Sequence, residues 1–545
     1  MKIALAQLNY HIGNFEGNLA KMLRALKEAK KKGADIVMFG ELATCGYPPR
    51  DFLEFRDFIR LSNNSIEELK KHSHEIGIIV GSPTINPVLE GKDLYNSAYF
   101  LYQGEMLGVQ HKTLLPTYDI FDEYRYFEPA TEYNLVEFKG KRIAMTVCED
   151  IWNLGNENPL YTVCPMDEMI DMQPDFMINI SASPFSFNQS KDRIEVVKRN
   201  AERYQIPVFY SNHCGTQTQI VFDGGSIVAS PNGEIFDEMP YFQEMVKVYD
   251  LDDVAHGTQS IVQPKEKYSL IHDALVTGIH DYFYKLGFKK AILGLSGGID
   301  SAVTAALAAR ALGPENVWVV LMPSPFSSDH SIQDAKDLAE NLGCPWNLIP
   351  IENPYHAFDE LLNPIFGDLP FNIAEENIQA RCRGLILMAL SNKFGNILLN
   401  TSNKSELAVG YGTLYGDLAG GLSVIGDVYK TEVFKLAEFI NKDEEVIPIN
   451  TITKPPSAEL RPNQKDSDSL PEYDILDPIL FHYIERRKGP QEIIDLGYDA
   501  ALVKRILRLV NINEFKRYQT APVIRVSSKA FGMGRRMPIV GKYLN

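Results

Sequence analysis

Twice along this chain, short apolar runs rich in β-branched residues alternate with stretches of helical periodicity, and a polar, aperiodic segment, DDVAHGTQSIVQPKEK (252–267), separates the two series. Such alternation restricts the chain to α/β architecture, because each sheet face needs helices to cover it. The first series comprises IALAQLN (3–9), a helix over about 18–32, IVMFG (36–40), IGIIVG (76–81), SAYFLYQ (97–103), RIAMTVC (142–148), FMINIS (176–181), a helix over about 190–204, PVFYSN (207–212), SIVAS (226–230) and MVKVYDL (245–251). The second comprises a helix over 268–286, AILGL (291–295), a helix over 301–312, VWVVLMP (317–323), a helix over 331–342, LIPI (348–351), a helix over 374–392 and NILLNTS (396–402). This second series predicts a doubly wound parallel sheet. The expected domains are 1–252 and 268–545, joined by a linker over 253–267.

Two segments escape the alternation: 410–426, with six glycines, and the Pro-rich, polar 453–473. Both read either as surface loops or as mobile loops over a site. The balance of 54 Lys+Arg against 71 Asp+Glu, −17 net, argues against a nucleic-acid coat or a polybasic membrane binder. The charge is uneven, since residues 501–545 carry ten basic residues against one acid, Glu514. That tail is either a solvated basic face or a meeting place for anions or acidic neighbours. Six cysteines with no CxxC pair make neither a disulfide framework nor a zinc ribbon. The opening MKIALAQLNY reads as a strand and not as a signal peptide, and no apolar run is long enough to span a bilayer. A cytoplasmic protein is expected.

The most specific motif is GLSGGIDS (294–301), between a short strand and an Ala-rich helix. Backbone N–H groups at such a turn, with the helix dipole behind them, suit a phosphate. The loop lacks the lysine of GxxxxGK[ST] and the spacing of GxGxxG. Phosphate charge must then be met by backbone donors, a metal and lysines from elsewhere; Asp300 offers the carboxylate that Mg²⁺ takes. These residues resemble the pyrophosphatase-loop family of ATP-using synthetases, which cleave ATP between the α and β phosphates and adenylate a substrate. NTSNKSE (400–406) and YGTLYGDLAGG then look like the NAD synthetase branch. The resemblance implies ATP contacts at Gly294, Leu295, Ser296, Gly297, Gly298, Ile299, Asp300, Ser301, Thr401 and Lys430, with Mg²⁺ on Asp300 and Glu406. It implies deamido-NAD⁺ contacts at Asn377, Arg381, Glu406, Arg525 and Lys529.

The first half carries a second constellation: Glu41 after IVMFG, Lys112 in QHKTLLP, and Cys148 at the end of RIAMTVC. Alone, each has a bland reading, and a cysteine ending an apolar strand is ordinarily inert. Together they resemble the Glu-Lys-Cys triad of the nitrilase superfamily, whose αββα sandwich the first 250 or so residues would adopt. Amide cleavage needs a thiolate, a base to generate it and a positive donor for the oxyanion. The resemblance gives these roles to Cys148, Glu41 and Lys112, lets Glu123 orient Lys112, and suggests Tyr118, Ser183 and Lys191 as L-glutamine contacts.

One half would release ammonia and the other would make an acyl adenylate that needs a nitrogen nucleophile. The joint resemblance therefore implies a glutamine-using ligase of the NAD synthetase branch, acting on deamido-NAD⁺, ATP and L-glutamine with Mg²⁺ and forming homo-oligomers. Alternatives are another glutamine-fed adenylating ligase, such as one making GMP or asparagine, and a carbon–nitrogen hydrolase with a nucleotide-sensing appendage.

Overall fold

The computed structural model describes all residues except 158–159, 258–261, 263–265, 463, 465 and 545. The chain divides into two units, Met1–Lys265 and Glu266–Asn545.

The strands of the first unit are β1 (Lys2–Gln7), β2 (Ile36–Met38), β3 (Gly77–Ile85), β4 (Leu94–Tyr102), β5 (Glu105–His111), β6 (Leu135–Phe138), β7 (Lys141–Val147), β8 (Phe176–Ile180), β9 (Val208–Ser211), β10 (Cys214–Gln217), β11 (Ile220–Asp223), β12 (Ile227–Ala229), β13 (Ile235–Glu238) and β14 (Met245–Asp250). They build two six-stranded sheets, ordered β14-β1-β2-β3-β4-β5 and β13-β12-β9-β8-β7-β6, while β10 and β11 form a separate hairpin. The period-two alternation of strand side chains makes the layers. Ile3, Leu5, Met38, Ile79 and Phe100 of one sheet share a core with Ile143, Met145, Ile178 and Phe209 of the other. Their neighbours Ala4, Ala6, Val37, Ile78 and Val80 face away, onto Met22, Ala25 and Leu26 of α1 (Phe15–Lys31) and Ile66 and Leu69 of α2 (Arg56–Lys71). Met177, Val208 and Ile227 face α3 (Pro165–Ile170) and α4 (Gln189–Tyr204) through Met166, Met169, Val197 and Ala201. The unit is the expected αββα sandwich.

Part of the segment read as linker belongs to this unit. Residues 251–256 form α5 (Leu251–His256), which inserts Leu251 and Val254 into the inter-sheet core, while 258–261 and 263–265 lie outside the described residues. Two buried residues among polar ones gave too little periodicity to read as a helix.

The second unit holds β15 (Ala291–Gly294), β16 (Val317–Leu321), β17 (Trp346–Leu348), β18 (Ile397–Asn400) and β19 (Leu422–Ser423), parallel throughout, in the order β17-β16-β15-β18-β19. Its helices include α6 (Lys267–Leu286), α7 (Ile299–Leu312), α8 (Asp329–Leu342), α9 (Glu352–Phe366), α10 (Ile373–Phe394), α11 (Lys404–Val409) and α12 (Lys430–Ile440). Helix α7 is Ala-rich because it is buried almost all round, whereas α10 closes over Ile292, Val320 and Leu398 with Cys382 and Leu387. The winding reverses at β15, between β16 and β18, and ligands of open α/β sheets sit beyond the carboxyl ends of the strands at such a point. Among the described residues no helix is long and apolar enough to cross a membrane.

The Gly-rich segment packs as closely as its composition permits. A Cβ on Gly416 would stand 3.0 Å from the backbone of Ala380 in α10. Of the 453–473 segment, residues 463 and 465 lie outside the described residues, and Glu459 is anchored, accepting hydrogen bonds from Ser328 Oγ at 2.7 Å and Ser331 Oγ at 2.8 Å.

Candidate active sites

In the first unit Glu41 follows β2, Lys112 follows β5 and Cys148 follows β7, so three strand ends from both sheets converge. Cys148 opens a short 3-10 turn, Cys148–Ile151, at φ +45°, a conformation costly for a side-chain-bearing residue. The side chains of Glu41 and Lys112 are fully buried. Lys112 Nζ donates to Glu41 Oε1 at 2.8 Å and to Glu123 Oε1 at 2.9 Å. Glu41 Oε1 also accepts from Asn96 Nδ2 at 2.7 Å, and Oε2 accepts from the Ala182 N–H at 3.0 Å. Tyr47 donates its hydroxyl to Glu123 Oε1 at 2.7 Å.

Asp150 ties the turn of the cysteine to the loop of the lysine. Its Oδ1 accepts from the N–H groups of Thr113 and Leu114, at 3.0 and 2.9 Å, and its Oδ2 from Val147 N–H at 3.0 Å. Glu149 accepts the hydroxyls of Tyr118 and Tyr161, both at 2.9 Å. Burial, which alone would lower the Lys112 pKa, is outweighed by Glu123 and Glu41, so the ammonium is held well above its ordinary range. Burial and then the charge of Glu41 push the Cys148 thiol well up. The same surroundings thus favour the charged form of Lys112 and the neutral form of Cys148.

In the second unit the 295–298 loop runs from β15 into α7. Gly297 has φ +82°, and a Cβ there would lie 2.2 Å from the Ser331 carbonyl oxygen, so only glycine fits. Ser301 Oγ closes the loop by accepting from Ser296 N–H at 3.2 Å. Asp300, in the first turn of α7, accepts from Asn403 Nδ2 at 2.9 Å and pairs with Lys430 at the start of α12. Glu406, in the first turn of α11, lies 3.6 Å from the same ammonium. Burial and the charge of Asp300 push the Glu406 carboxyl up to about 8, against the pull of Lys430.

Residues 2–258 match the carbon-nitrogen hydrolase family, and residues 271–520 match the NAD synthase family. The chain is 46% identical to the glutamine-dependent NAD(+) synthetase of Synechocystis sp., covering 98% of each sequence. The chain belongs to the glutamine-dependent NAD⁺ synthetases. Its identity to the Thermotoga maritima synthetase is 39%, over 100% of this chain and 99% of the relative. The solved structure of the glutamine-dependent NAD⁺ synthetase of Acinetobacter baumannii in complex with ADP is similar at a TM-score of 0.78 and 37% identity, covering 99% of both chains. That of Cytophaga hutchinsonii, at 23% identity, shares the fold at a TM-score of 0.85 over 99% of this chain and 98% of its own.

Of the residues expected to serve this ligase, Glu41, Lys112 and Glu123 are bonded together, with Cys148 close enough to feel the charges of all three. Tyr118 donates to Glu149, the residue after Cys148, and Ser183 is buried with its N–H on Asn212 Oδ1 at 2.8 Å. Lys191 is exposed in the first turn of α4. Asp300, Glu406 and Lys430 form one cluster, and Thr401 stands just past β18. Asn377 and Arg381 of α10 contact the Gly-rich segment, at Thr413 Oγ1 (2.7 Å) and the Leu414 carbonyl (3.3 Å). Arg525 folds onto the carbonyls of Ser527 and Ser528, at 3.1 and 3.0 Å, and Lys529 follows in the same loop.

The synthetase's basic tail is less available to anions than its charge suggests. Arg517 and Arg535 both pair with Glu514 at 2.6 Å in a buried cluster, and Lys516 donates to the carbonyls of Gly410 and Gly412. Sequence reasoning missed Asn96, the Ala182 N–H and Asn403. Asn403 could have been found as the N-cap of a capping box with Glu406, but nothing local marks the other two.

Proposed function

We propose that Glu41, Lys112 and Cys148 release ammonia from L-glutamine and that the 294–301 loop, Thr401 and Lys430 hold ATP for adenylation and amidation of deamido-NAD⁺. The observation that carries this reading is the buried Lys112 ammonium, bonded to Glu41 and Glu123 beside a nucleophile on a strained turn. Glu41 takes the thiol proton, the Cys148 thiolate attacks the side-chain carboxamide, and Lys112 donates to the developing oxyanion. Collapse breaks the C–N bond, and Glu41 returns the proton to the departing nitrogen. Glu41 then deprotonates water, which hydrolyses the thioester and frees glutamate and the thiol. Tyr118, Ser183 and Lys191 serve as glutamine contacts.

In the second unit the nicotinate carboxylate attacks the α-phosphorus of ATP and pyrophosphate leaves; ammonia then displaces AMP from the acyl carbon. Unprotonated ammonia is required, which favours its delivery without release to solvent. Backbone donors of the loop bind phosphate oxygens, while Asn377, Arg381, Glu406, Arg525 and Lys529 bind deamido-NAD⁺. Asp300 and Glu406 fit Mg²⁺: they are hard oxygen donors whose mutual repulsion a divalent cation relieves. Bound there, Mg²⁺ would neutralise charge on the leaving pyrophosphate. None of the six cysteines is in a disulfide, which supports a cytoplasmic setting, and the exposed Phe358, Leu361 and Ile365 on α9 support a homo-oligomer.

Cys148→Ala should abolish glutamine-driven NAD⁺ formation and leave ammonium-driven formation intact, whereas Asp300→Asn should remove both and spare glutamine hydrolysis. An ammonium-driven rate lost in Cys148→Ala, or retained in Asp300→Asn, refutes this division of labour.

A further inference from the structure

Asn96 lies in β4 with its side chain wholly buried beside Glu41. Its Nδ2 donates to Glu41 Oε1 at 2.7 Å, and its main-chain carbonyl accepts from Lys112 N–H, also at 2.7 Å. Its Oδ1 is buried with no hydrogen-bond partner among the described residues. A core amide held only for packing normally satisfies both ends. This one leaves its acceptor unpaired and commits its donor to a carboxylate. Glu41 Oε1 therefore receives two donors, Asn96 and Lys112, while Oε2 receives only the Ala182 N–H. Each carboxylate oxygen has two lone pairs, so Oε1 is saturated and Oε2 keeps one open.

We infer that Asn96 is a positioning residue for glutamine hydrolysis: it fixes the rotation of Glu41 so that Oε2 takes the Cys148 proton. The inference rests on the reading of Glu41 as general base. In the step the S–H bond breaks, an Oε2–H bond forms, the electron pair stays on sulfur, and no further reactant is needed. The other titratable or charged groups facing Glu41 are Lys112, Glu123, Cys148, Glu149, Tyr47 and His213, whose Nε2 lies 2.7 Å from the Glu41 carbonyl oxygen. The acid limb of the pH–rate profile belongs to this coupled set. A hydrogen bond to a carboxylate favours its ionised form, so removing one moves that limb to higher pH.

The test compares glutamine hydrolysis from pH 5.5 to 9 in the full chain and in Asn96→Ala and Asn96→Asp, together with ammonium-driven NAD⁺ formation. At neutral pH kcat should fall roughly 10- to 100-fold, within what a general base contributes. KM for glutamine should stay within about threefold, the acid limb should rise by about one pH unit, and ammonium-driven synthesis should not change. Asn96→Asp keeps the side-chain volume, carries the test should the alanine variant fail to fold, and should move the limb further because it adds another carboxylate directly against Glu41. An unmoved acid limb in the folded variants overturns the inference even if the rate falls, and so does a loss confined to KM. Glu41→Gln separates the two levels. Glutamine hydrolysis surviving in Glu41→Gln overturns the reading of the site, whereas its loss there beside unmoved limbs in the Asn96 variants overturns only the role of Asn96.

Discussion

The carboxylate of Asp150 accepts three main-chain N–H groups, and through them the loop after Lys112 and the strand before Cys148 are held in one register. A buried carboxylate is costly to maintain, and burial raises Asp150 to about 6 against the pull of those bonds. Nearby, His111 stacks on Tyr95 with ring centroids 4.1 Å apart, and its Nδ1 lies 2.6 Å from Ser97 Oγ. Burial lowers its pKa from 6.5 to about 4. In the unfolded chain His111 takes a proton near 6.5, but in the fold only near 4, so its stabilising contribution is full above that window and is lost as the pH falls through it. His111→Phe keeps the stack and removes the titrating nitrogen. Its melting temperature should lie below that of the parent at pH 7.5, for want of the Ser97 bond, and should draw level or cross by about pH 5. A difference constant across that range would show that His111 does not carry acid sensitivity. Glu41, Lys112 and Cys148, which the fold brings together, could be named in advance because as a trio they resemble a known triad. Asn96 and Ala182 could not, since a hydrogen bond spanning 55 or 141 positions leaves no local mark.

At the scale of elements, β15, the loop and α7 have the strand–turn–helix form their motif implies. Gly297→Ala would force φ +82° on a side-chain-bearing residue and drive its Cβ into the Ser331 carbonyl. Synthesis from either nitrogen source should drop by at least about tenfold, the equivalent of 1.4 kcal/mol of lost transition-state binding, while glutamine hydrolysis continues. Normal ammonium-driven turnover in this variant would mean that the loop tolerates a shift of α8. Other elements were hidden by composition. Helix α2 buries Ser62 and Ser65 between Phe58, Ile59, Ile66 and Leu69, which interrupts its apolar period. The edge strand β5 exposes Glu105, Met106 and Leu107 and so lacks clean alternation. The run LIPI was expected to be a strand at 348–351, yet β17 pairs through Trp346–Leu348, because the register is chosen by β16, with Leu321 opposite Leu348.

For the whole molecule, net charge is a poor guide to where anions bind. The chain is −17, and the tail beyond residue 500 has ten basic residues against one acid, yet Arg517 and Arg535 are spent on Glu514 and Lys516 on carbonyls. Arg525 and Lys529 lie in a loop anchored through Ser527, which binds Asp427 and the buried Lys404 beside Asn403. Charge reversal at either should raise KM for deamido-NAD⁺ or ATP by about tenfold, the range of one charge-assisted contact. The same substitution at the exposed Lys504 should not. Equal behaviour of the three would assign Arg525 and Lys529 to the surface.

Local patterns alone decided that this chain is α/β in two parts, because strand and helix periods are properties of a few consecutive residues. With a family resemblance they also marked the candidate sites: a glycine loop ahead of a helix, and a glutamate, a lysine and a cysteine each just past an apolar run. Tertiary structure decided how those parts meet. It set the reversal at β15 that gathers Asp300, Glu406 and Lys430, the pairing of two sheets that brings Glu41 and Lys112 to Cys148, and the partners that withdraw part of the basic tail. These outcomes depend on contacts between residues far apart in the chain, whose energies arise only once the core has fixed their distances.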